Sequence, residues 1–267
     1  MYGRGIMAKK DFTLKTLCNE RVGDGVYKMV LKAGEDIGEI KGGQFIHIAL
    51  PDKTHILRRP FCIADFSKED RTVTVYYAII GDGTKVLSRV KAGESVKALL
   101  PLGNGFTMKE EYRKVMLIGG GMGTAVLPAI PTAWADKEYY SFLGFAKKEK
   151  MIAINELTDR SKEIYVATDD GSYGRKGFVT EAIAENIERI DPDVIMVCGP
   201  EILYKVLKKT LEGYNDRTYI SLEKRMGCGI GACLVCNCKI KSADGMKYLR
   251  ACVDGPVFNM DEVMLDE

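Results

Sequence analysis

Residues 223–236 read EKRMGCGIGACLVC, a stretch that places three cysteines in a glycine-rich loop. A fourth cysteine follows after fifteen further residues, so the full pattern is C-x4-C-x2-C-x15-C. The four cysteines are Cys228, Cys233, Cys236 and Cys252. Thiolates are ligands for soft metals and clusters, and the segment has no helical period. The stretch therefore predicts a small C-terminal module built around a metal centre.

The spacing of the first three cysteines matches the ligand loop of plant-type [2Fe–2S] proteins. Small residues between them let the loop wrap closely and point backbone N–H groups at the sulfurs, and Arg225 adds a positive charge nearby. A structural zinc site also uses four cysteines, but it usually pairs them as two C-x2-C knuckles, and only one occurs here. We predict a [2Fe–2S] cluster, with zinc as the alternative. Cys238 is predicted to be a small buried side chain on the strand leaving the loop.

The composition excludes several classes of protein. Of the 267 residues, 46% are apolar, which argues against a disordered chain. With 39 basic and 37 acidic residues and no basic stripe, we predict no nucleic-acid partner. Residues 1–10 lack an apolar signal segment, and five of the eight cysteines lie from Cys228 to Cys252, so we predict a cytoplasmic protein. The uncharged residues 115–135 are broken by glycine and proline, which favours a strand, a glycine turn and a short helix over a membrane span.

Two patterns of secondary structure precede the cysteine segment. Short strands bounded by glycine turns, at residues 26–31, 44–50 and 72–79 among others, predict a small closed antiparallel barrel over the first hundred or so residues. From Lys114 onward, apolar strands alternate with helical stretches, which predicts a mostly parallel sheet covered by helices on both faces. The strands are predicted at 115–118, 140–145, 164–168 and 194–198, and the helices at 176–190 and 201–213.

Two short motifs in the barrel region are candidates for binding a cofactor. Residues 57–62 read LRRPFC at the end of an extended run, and residues 81–84 read GDGT after the next strand. An arginine fork suits a pyrophosphate, and a glycine-threonine turn at a helix start offers N–H groups to a second phosphate. Each motif alone is also typical of an ordinary surface. Together, ahead of an α/β domain, they favour a nucleotide cofactor.

Glycine-rich loops in the second region follow predicted strands of one sheet. Residues 119–123 read GGGMG, and glycines at that place let a dinucleotide approach the backbone. The loops at residues 169–172 and 198–200 end two further strands, and ligands of open α/β sheets bind at such ends. Short loops of this kind also occur without any function.

Together these motifs resemble the ferredoxin-reductase superfamily and, within it, the electron transfer subunits of dihydroorotate dehydrogenase B. The sharpest matches are TDDGSYGRKG at residues 168–177, EKRMGCGIGACLVC at 223–236 and CVDGPVF at 252–258. With the barrel motifs, the resemblance covers nearly the whole chain. It implies a multidomain β plus α/β protein with an FAD-binding β-barrel (1–108), an NAD-binding α/β domain (109–217) and a [2Fe–2S] module (218–267).

The resemblance also implies which residues bind the cofactors. NAD+ would contact Gly120, Gly121 and Cys198, and the four cysteines named above would hold the cluster. This sequence departs from the family at two positions of the flavin site: Cys62 replaces a serine or threonine, and Ala78 replaces a basic residue. A third departure is in the nucleotide loop, where Ala125 and Val126 replace the proline pair that often follows the glycines. The residues implied to contact FAD are Arg59, Pro60, Phe61, Cys62, Tyr76, Tyr77, Ala78, Gly83 and Thr84.

The function implied is electron transfer in pyrimidine biosynthesis. A partner subunit would hold FMN and oxidise dihydroorotate, and electrons would pass through the cluster and FAD to NAD+, in a heterotetramer of two plus two subunits. A flavin is needed between the others because nicotinamide exchanges a hydride and an iron–sulfur cluster exchanges single electrons. This chain needs no acid–base residue for dihydroorotate, and His47 and His55 are its only histidines. The alternatives are a reductase subunit serving ferredoxin, a hydrogenase or another oxidoreductase, and a zinc-stabilised binding protein without turnover.

Overall fold

The computed structural model describes residues 10–52 and 54–265. The outer ends of the first and third predicted domains, residues 1–9 and 266–267, lie outside this range. The prediction that residues 1–10 contain no signal segment also falls mostly outside the described residues. Within the described part of the chain, strands form two sheets of seven strands each and one two-stranded hairpin.

The first sheet is antiparallel throughout, with strand order β4-β3-β7-β1-β2-β6-β5. A six-residue helix, α1 (Asp82–Leu87), connects its last two strands in sequence. The predicted strands at 26–31, 44–50 and 72–79 correspond to the second, third and sixth. The strands are β1 (Asp11–Gly23), β2 (Val26–Ala33), β3 (Phe45–Ile48), β4 (Arg59–Cys62), β5 (Asp65–Ser67), β6 (Thr72–Ala78) and β7 (Ser95–Leu102).

The two edges of this sheet meet through a short link of chain. β4 and β5 lie at opposite edges but are separated in sequence by only Ile63 and Ala64. The Ile63 N–H donates to the carbonyl of Gln44 at 3.0 Å, and the Ala64 N–H donates to the carbonyl of Thr74 at 2.8 Å. The link therefore bonds beside β3 and to β6, the strands next to the two edges, and the sheet curls into the predicted barrel. Alternating apolar residues such as Ile46 and Ile48 fill its interior.

The second sheet has strand order β11-β10-β9-β8-β12-β13-β16. All pairs are parallel except the last, which is antiparallel. The prediction of a mostly parallel sheet is confirmed, and the predicted strand at 194–198 has the observed bounds. The strands are β8 (Lys114–Gly120), β9 (Glu138–Phe145), β10 (Glu163–Thr168), β11 (Arg175–Lys176), β12 (Val194–Cys198), β13 (Thr218–Ser221) and β16 (Val257–Asn259).

Helices cover both faces of this sheet, because alternate residues of its central strands face opposite sides. Met116 and Ile118 pack with the helices α4 and α5, whereas Val115 and Leu117 pack on the side of α2 and α3. In α4 the buried residues recur at helical spacing, and the helix ends at Asp191, whose φ is 43°. A 3-10 helix over residues 121–126 follows β8. The helices are α2 (Ala129–Ala133), α3 (Ile154–Thr158), α4 (Val179–Ile190) and α5 (Glu201–Thr210).

The C-terminal segment contributes a hairpin, β14 (Asn237–Ser242) and β15 (Gly245–Arg250), and the strand β16. Cys238 lies on β14 with 1% of its surface exposed, which confirms the prediction for that residue. The α/β sheet extends past the predicted boundary between residues 217 and 218. β13 continues the parallel order, and the chain returns after the hairpin to add β16 at the sheet edge. The cysteine segment and this sheet share one core cluster.

A polar contact joins the barrel to the α/β sheet. Arg160 Nη2 lies 3.0 Å from Asp65 Oδ2 on β5. Thr132 on α2 donates its hydroxyl to the other oxygen of Asp65 at 2.5 Å and accepts from Arg160 Nη1. A barrel strand is thus bonded to a helix and to the turn after α3, both of which belong to the α/β part of the chain. In the described part of the chain, no helix has the length and apolar character needed to cross a bilayer.

Candidate cofactor sites

The cluster loop, residues 227–236, directs backbone N–H groups at its own sulfurs. Cys228 Sγ accepts from the N–H groups of Ile230, Ala232 and Cys233 at 3.3–3.4 Å. Cys233 Sγ accepts in turn from the N–H of Cys228 at 3.3 Å. Two glycines adopt left-handed conformations to make this wrap possible, Gly229 with φ 71° and Gly231 with φ 87°. Donors aimed at sulfur stabilise thiolate charge, as a metal–thiolate centre requires.

The four predicted ligands fall into two pairs that differ in environment. Burial disfavours ionisation of Cys228, but the N–H groups of Ile230 and Cys233 outweigh it and lower its pKa to about 7. Burial raises the pKa of Cys252 to about 12, and a hydrogen bond with the Cys236 thiol adds to the effect. Cys228 and Cys233 thus form a pair near the surface, and Cys236 and Cys252 form a buried pair.

This two-plus-two grouping bears on which centre the cysteines could hold. Among the residues that the structure describes, no three His, Cys, Asp or Glu side chains converge around the position of a single metal ion. A binuclear cluster takes two thiolates at each iron, whereas a structural zinc ion needs all four ligands around one point. Four thiols with N–H groups directed at the sulfurs of one pair are a donor set that a [2Fe–2S] cluster takes, and the individual ligand assignments stay predictions.

Arg250, at the end of β15, contacts the loop and is held by Asp254 in the turn that follows; neither residue was among the predicted site residues. Arg250 Nη1 donates to the Gly231 carbonyl at 3.2 Å, and its Nε lies 3.0 Å from Asp254 Oδ2. This ion pair raises the pKa of Arg250, so the guanidinium stays charged beside the loop. The signal was present in the sequence, because the two residues flank Cys252 at positions −2 and +2.

The two motifs predicted to bind the flavin pyrophosphate meet in the structure. A Cβ placed on Gly83 in α1 would lie 2.7 Å from Nη2 of Arg59 on β4, so the guanidinium packs directly over the helix start. Arg58 instead makes two contacts with Asp11, at 2.9 and 2.8 Å. Arg59 has no acidic partner in the described part of the chain, where its guanidinium donates to the Leu57 carbonyl. Of the two arginines, Arg59 is therefore the one whose charge is available to bind an anion.

The remaining flavin candidates are not all brought to one surface. Thr84 Oγ1 accepts from the N–H groups of Ile80 and Gly81 at 3.0 and 3.2 Å, so two donors of that turn are used within the chain. Tyr77 points into the barrel, where its hydroxyl donates to Asn19 Oδ1 at 2.8 Å. Tyr76 points the opposite way and donates to Glu156 on α3.

The other flavin candidates lie on the same two strands. Ala78 ends β6, opposite Val26. The Phe61 ring faces Tyr77 at 5.5 Å between centroids, on the interior side of the barrel. Pro60, its neighbour on β4, is partly exposed. The side chains of the two motifs therefore point in several directions, and the flavin contacts stay a prediction.

Cys62, Cys198 and Glu223 lie near one another where the barrel, the α/β sheet and the cysteine segment meet. Burial and then the charge of Glu223 raise the pKa of Cys62 to about 12. Burial, followed by Cys62 and Glu223, raises the pKa of the Cys198 thiol. Glu223 has a raised pKa caused by burial, although its side chain still reaches solvent, so it lies in a recess rather than in the core. Sequence reasoning quoted Glu223 within a motif but gave it no role.

The predicted nicotinamide loops also come together. A Cβ on Gly123 would lie 2.3 Å from the Cys198 carbonyl oxygen, so the glycine turn packs against the end of β12 at a distance that only glycine permits. Gly121 has φ 53° and open space beside it, whereas Gly120 packs against Leu203. β8 and β12 are adjacent at the point where the strand order reverses, which is where open α/β sheets bind ligands.

Comparisons with known proteins agree with this arrangement. Residues 223–264 match a family described as the iron–sulfur cluster binding domain of dihydroorotate dehydrogenase B. The electron transfer subunit of dihydroorotate dehydrogenase B (NAD+) from Streptococcus mutans is 37% identical over 257 residues, which cover 95% of this chain and 98% of that protein. The corresponding subunit from Bacillus velezensis is 39% identical over 97% of this chain and 100% of its own.

Solved structures with the same fold include an NADH-dependent reduced ferredoxin–NADP oxidoreductase. It superposes with a TM-score of 0.82 and 28% identity, covering 100% of this chain and 92% of that chain. Phthalate dioxygenase reductase, described as passing electrons from pyridine nucleotides to [2Fe–2S], superposes with a TM-score of 0.67 over 87% of each chain at 15% identity, which shows the fold alone. On the identity and coverage of its relatives, this chain belongs to the family of electron transfer subunits of dihydroorotate dehydrogenase B (NAD+).

Proposed function

We propose that this chain carries electrons between an FMN-containing dihydroorotate dehydrogenase subunit and NAD+, using bound FAD and a [2Fe–2S] cluster. The observation that carries the proposal is the position of β4. Cys62 at the end of this strand lies near Cys198 of the nicotinamide edge. Pro60 pairs with His47, whose ring lies against Gly229 of the cluster loop. A flavin held along β4 would therefore lie between the other two cofactors.

The residues proposed to bind each group follow the sequence prediction. Arg59, with no acidic partner among the described residues, would bind the flavin pyrophosphate beside Gly83, and Gly120, Gly121 and Cys198 would form the NAD+ edge. The remaining flavin contacts would come from Pro60, Phe61, Cys62, Tyr76, Tyr77, Ala78 and Thr84, and the cluster ligands would be Cys228, Cys233, Cys236 and Cys252. When bound, the flavin exchanges electron pairs with nicotinamide and single electrons with the cluster.

The chain's own contribution would be to hold these groups and exclude water. Cys62 and Cys198 have raised pKa values caused by burial, so both stay neutral thiols at neutral pH and add no charge beside the flavin. Glu223 lies close enough to both thiols for its charge to raise their pKa values further. Of the two histidines, His55 is bonded to Asp52 at 2.7 Å, and His47 is buried. We assign the oxidation of dihydroorotate, which needs a base, to the partner subunit.

The surface around the cluster loop supports a docking role. Ile230, Leu234 and Val235 are large apolar residues of this loop that remain about half exposed, at 49%, 57% and 55%. Exposed apolar residues that cluster next to a functional centre are typical of protein interfaces. We infer that the FMN-containing subunit covers them, in an assembly of two plus two subunits. We place the protein in the cytoplasm, because all eight cysteines are described and none forms a disulfide.

The three-domain division is part of the proposal. The FAD-binding barrel would span residues 1–108, the NAD-binding domain 109–217 and the cluster module 218–267. The module would depend on the sheet before it, since β13 and β16 pair with each other and pack with it.

An anaerobic titration of the purified chain with NADH, followed by visible absorption, tests the proposal. Flavin bleaching followed by cluster bleaching, with about two irons and two sulfides per chain, is the expected result. A colourless protein containing zinc would contradict it. So would a flavin that NADH does not reduce.

A second candidate function is a reductase subunit serving ferredoxin. The observation in its favour is the 0.82 TM-score and 28% identity with the NADH-dependent reduced ferredoxin–NADP oxidoreductase, over the whole of this chain. Its higher identity with dihydroorotate dehydrogenase B subunits favours the first candidate. Reduction of ferredoxin by NADH at a rate above that with the FMN-containing subunit would favour the second.

A further inference from the structure

A buried histidine lies between two of the proposed cofactor sites without a role so far. His47 on β3 has none of its surface exposed, and neither ring nitrogen has a hydrogen-bond partner within the described residues. The backbone of Arg58 and that of Cys228 lie close to the ring without reaching hydrogen-bond geometry. Buried polar groups are nearly always paired, because an unpaired donor or acceptor is unfavourable. The ring nitrogens of His47 therefore indicate a partner that is not within hydrogen-bond geometry in this conformation.

The direction of the His47 side chain follows from the alternation along β3. Ile46 and Ile48 point into the barrel core. Phe45 points the other way, into the cluster of apolar residues that also contains Cys236 and Cys252. His47 shares the outward side with Phe45. The ring therefore leaves the barrel toward the cysteine segment.

The ring meets the cluster loop at Gly229, next to the proposed ligand Cys228. A Cβ on Gly229 would lie 2.5 Å from His47 Nδ1 and 3.3 Å from its Cγ, so the imidazole packs directly on the loop backbone. Gly229 also has a φ of 71°, which favours glycine independently of the contact. Any larger residue would displace either the ring or the loop.

On its other side, His47 is fixed to the proposed flavin strand. Its backbone pairs with Pro60 of β4 and with Leu99 of β7 in the barrel ladder. The backbone of His47 thus pairs with the strand proposed to hold FAD, and its side chain contacts the loop proposed to hold the cluster. The three atoms nearest to a Cβ on Gly229 all belong to the His47 ring.

We propose that His47 is a positioning residue for the iron–sulfur centre. Its ring N–H donates to the backbone carbonyl of Cys228 when the loop carries its cluster, and this bond fixes the centre relative to the flavin strand. The inference rests on the proposed function, since it requires the four cysteines to hold a [2Fe–2S] cluster.

The test compares three variants with the parent chain. His47→Phe keeps a planar ring but removes both nitrogens, and His47→Asn keeps a donor near the position of Nδ1. Thr16→Val is the matched control, because Thr16 Oγ1 is another buried polar atom of the barrel that has no hydrogen-bond partner among the described residues. The readouts are FAD content, iron and sulfide content, the electron paramagnetic resonance spectrum of the dithionite-reduced cluster, and the rate at which a chelator removes iron.

His47→Phe is expected to keep its FAD, to shift the spectrum of the reduced cluster, and to lose iron about fivefold faster, as expected for one hydrogen bond. His47→Asn should restore the parent spectrum and rate in large part, and Thr16→Val should match the parent. A His47→Phe protein with the parent spectrum and iron-loss rate would overturn the inference. So would a Thr16→Val protein changed to the same extent.

A fourth variant approaches the contact from the loop and guards against misfolding of the barrel. Gly229→Ala places a methyl group where the imidazole lies, and it should shift the spectrum as His47→Phe does while FAD content stays at the parent level. An unshifted spectrum would count against the contact. A parent chain without iron and sulfide would contradict the proposed function itself. If the parent has a normal cluster and the variants have the same spectrum and iron-loss rate as the parent, only the role of His47 is contradicted.

Discussion

The flavin strand β4 and the cluster loop are both rich in predicted ligands, but they are held in different ways. β4 is fixed by its ladder with β3 and by the link through residues 63–64, so it is formed before any cofactor binds. The cluster loop instead turns several of its N–H groups toward the sulfurs of Cys228 and Cys233. The flavin site should therefore survive loss of its cofactor, whereas the loop depends on its metal centre, as metal-coupled folding requires.

The largest effect is expected from removing a buried cluster ligand. Cys252→Ser should abolish the iron and sulfide content while FAD is retained, because Cys252 lies in the core pair and outside the β3–β4 ladder that holds the proposed flavin strand. Parallel assays of iron, sulfide and flavin on the purified protein measure this. Unchanged iron and sulfide would remove Cys252 from the ligand set, and joint loss of FAD would contradict the independence of the two sites.

A smaller loss is expected at the flavin strand. Arg59→Ala should weaken FAD binding about tenfold or more, because a hydrogen bond to a charged group contributes roughly 1.5–3 kcal/mol. Arg58→Ala is the matched control, since Arg58 is already bonded to Asp11. Flavin content after gel filtration measures both. Equal retention by the Arg59 variant, or a greater loss from the Arg58 variant, would move the pyrophosphate site.

The two cysteine pairs should differ in the apo chain. The lowered pKa of Cys228, about 7, means that its thiolate forms as the pH rises through 7 rather than near 9. Between pH 6 and pH 8 its alkylation by iodoacetamide should therefore rise about tenfold, while Cys252, with a pKa of about 12, stays unreactive. Peptide mapping of the alkylated apo chain reads out both residues. A faster reaction at Cys252 would contradict the assignment of the two environments.

The smallest effect on the cluster is expected at Cys238. It lies on β14 with its thiol 3.8 Å from the Cys236 carbonyl oxygen, and it packs in the shared core. Cys238→Ser should leave iron and sulfide at the parent level and lower only the thermal stability, because it buries a more polar group. Iron analysis together with a melting curve separates the two effects. Loss of the cluster would make Cys238 a ligand in place of one of the four.

Local sequence patterns were sufficient to predict much of the fold. Apolar runs and glycine turns predicted the strand at 194–198 with its observed bounds and the barrel before it, since both depend on alternation and turn chemistry. The return of the chain to form β16 could not be predicted in this way, because a three-residue strand at a sheet edge carries almost no periodic signal. The cysteine spacing predicted the cluster loop, since ligand geometry fixes the number of residues between ligands.

Residues whose contacts cross between domains could not be predicted from the sequence. His47 reads as one position of an apolar strand, and only the contact with Gly229 separates it from its neighbours. Glu223 precedes the loop as an ordinary charged residue in the sequence, and its place beside Cys62 and Cys198 depends on how the barrel and the α/β sheet pack. The opposite directions of Tyr76 and Tyr77 follow from strand alternation, which the motif-based flavin prediction did not apply.

The central claim is that this chain passes electrons to NAD+ on behalf of a separate catalytic subunit. Its most direct test is the formation of NADH from dihydroorotate and NAD+ under anaerobic conditions, with this chain alone, with an FMN-containing dihydroorotate dehydrogenase subunit alone, and with both together. The account predicts NADH only when both are present, together with a stable complex on gel filtration. NADH formation by this chain alone, or its absence from a mixture in which every cofactor is bound, would contradict the account.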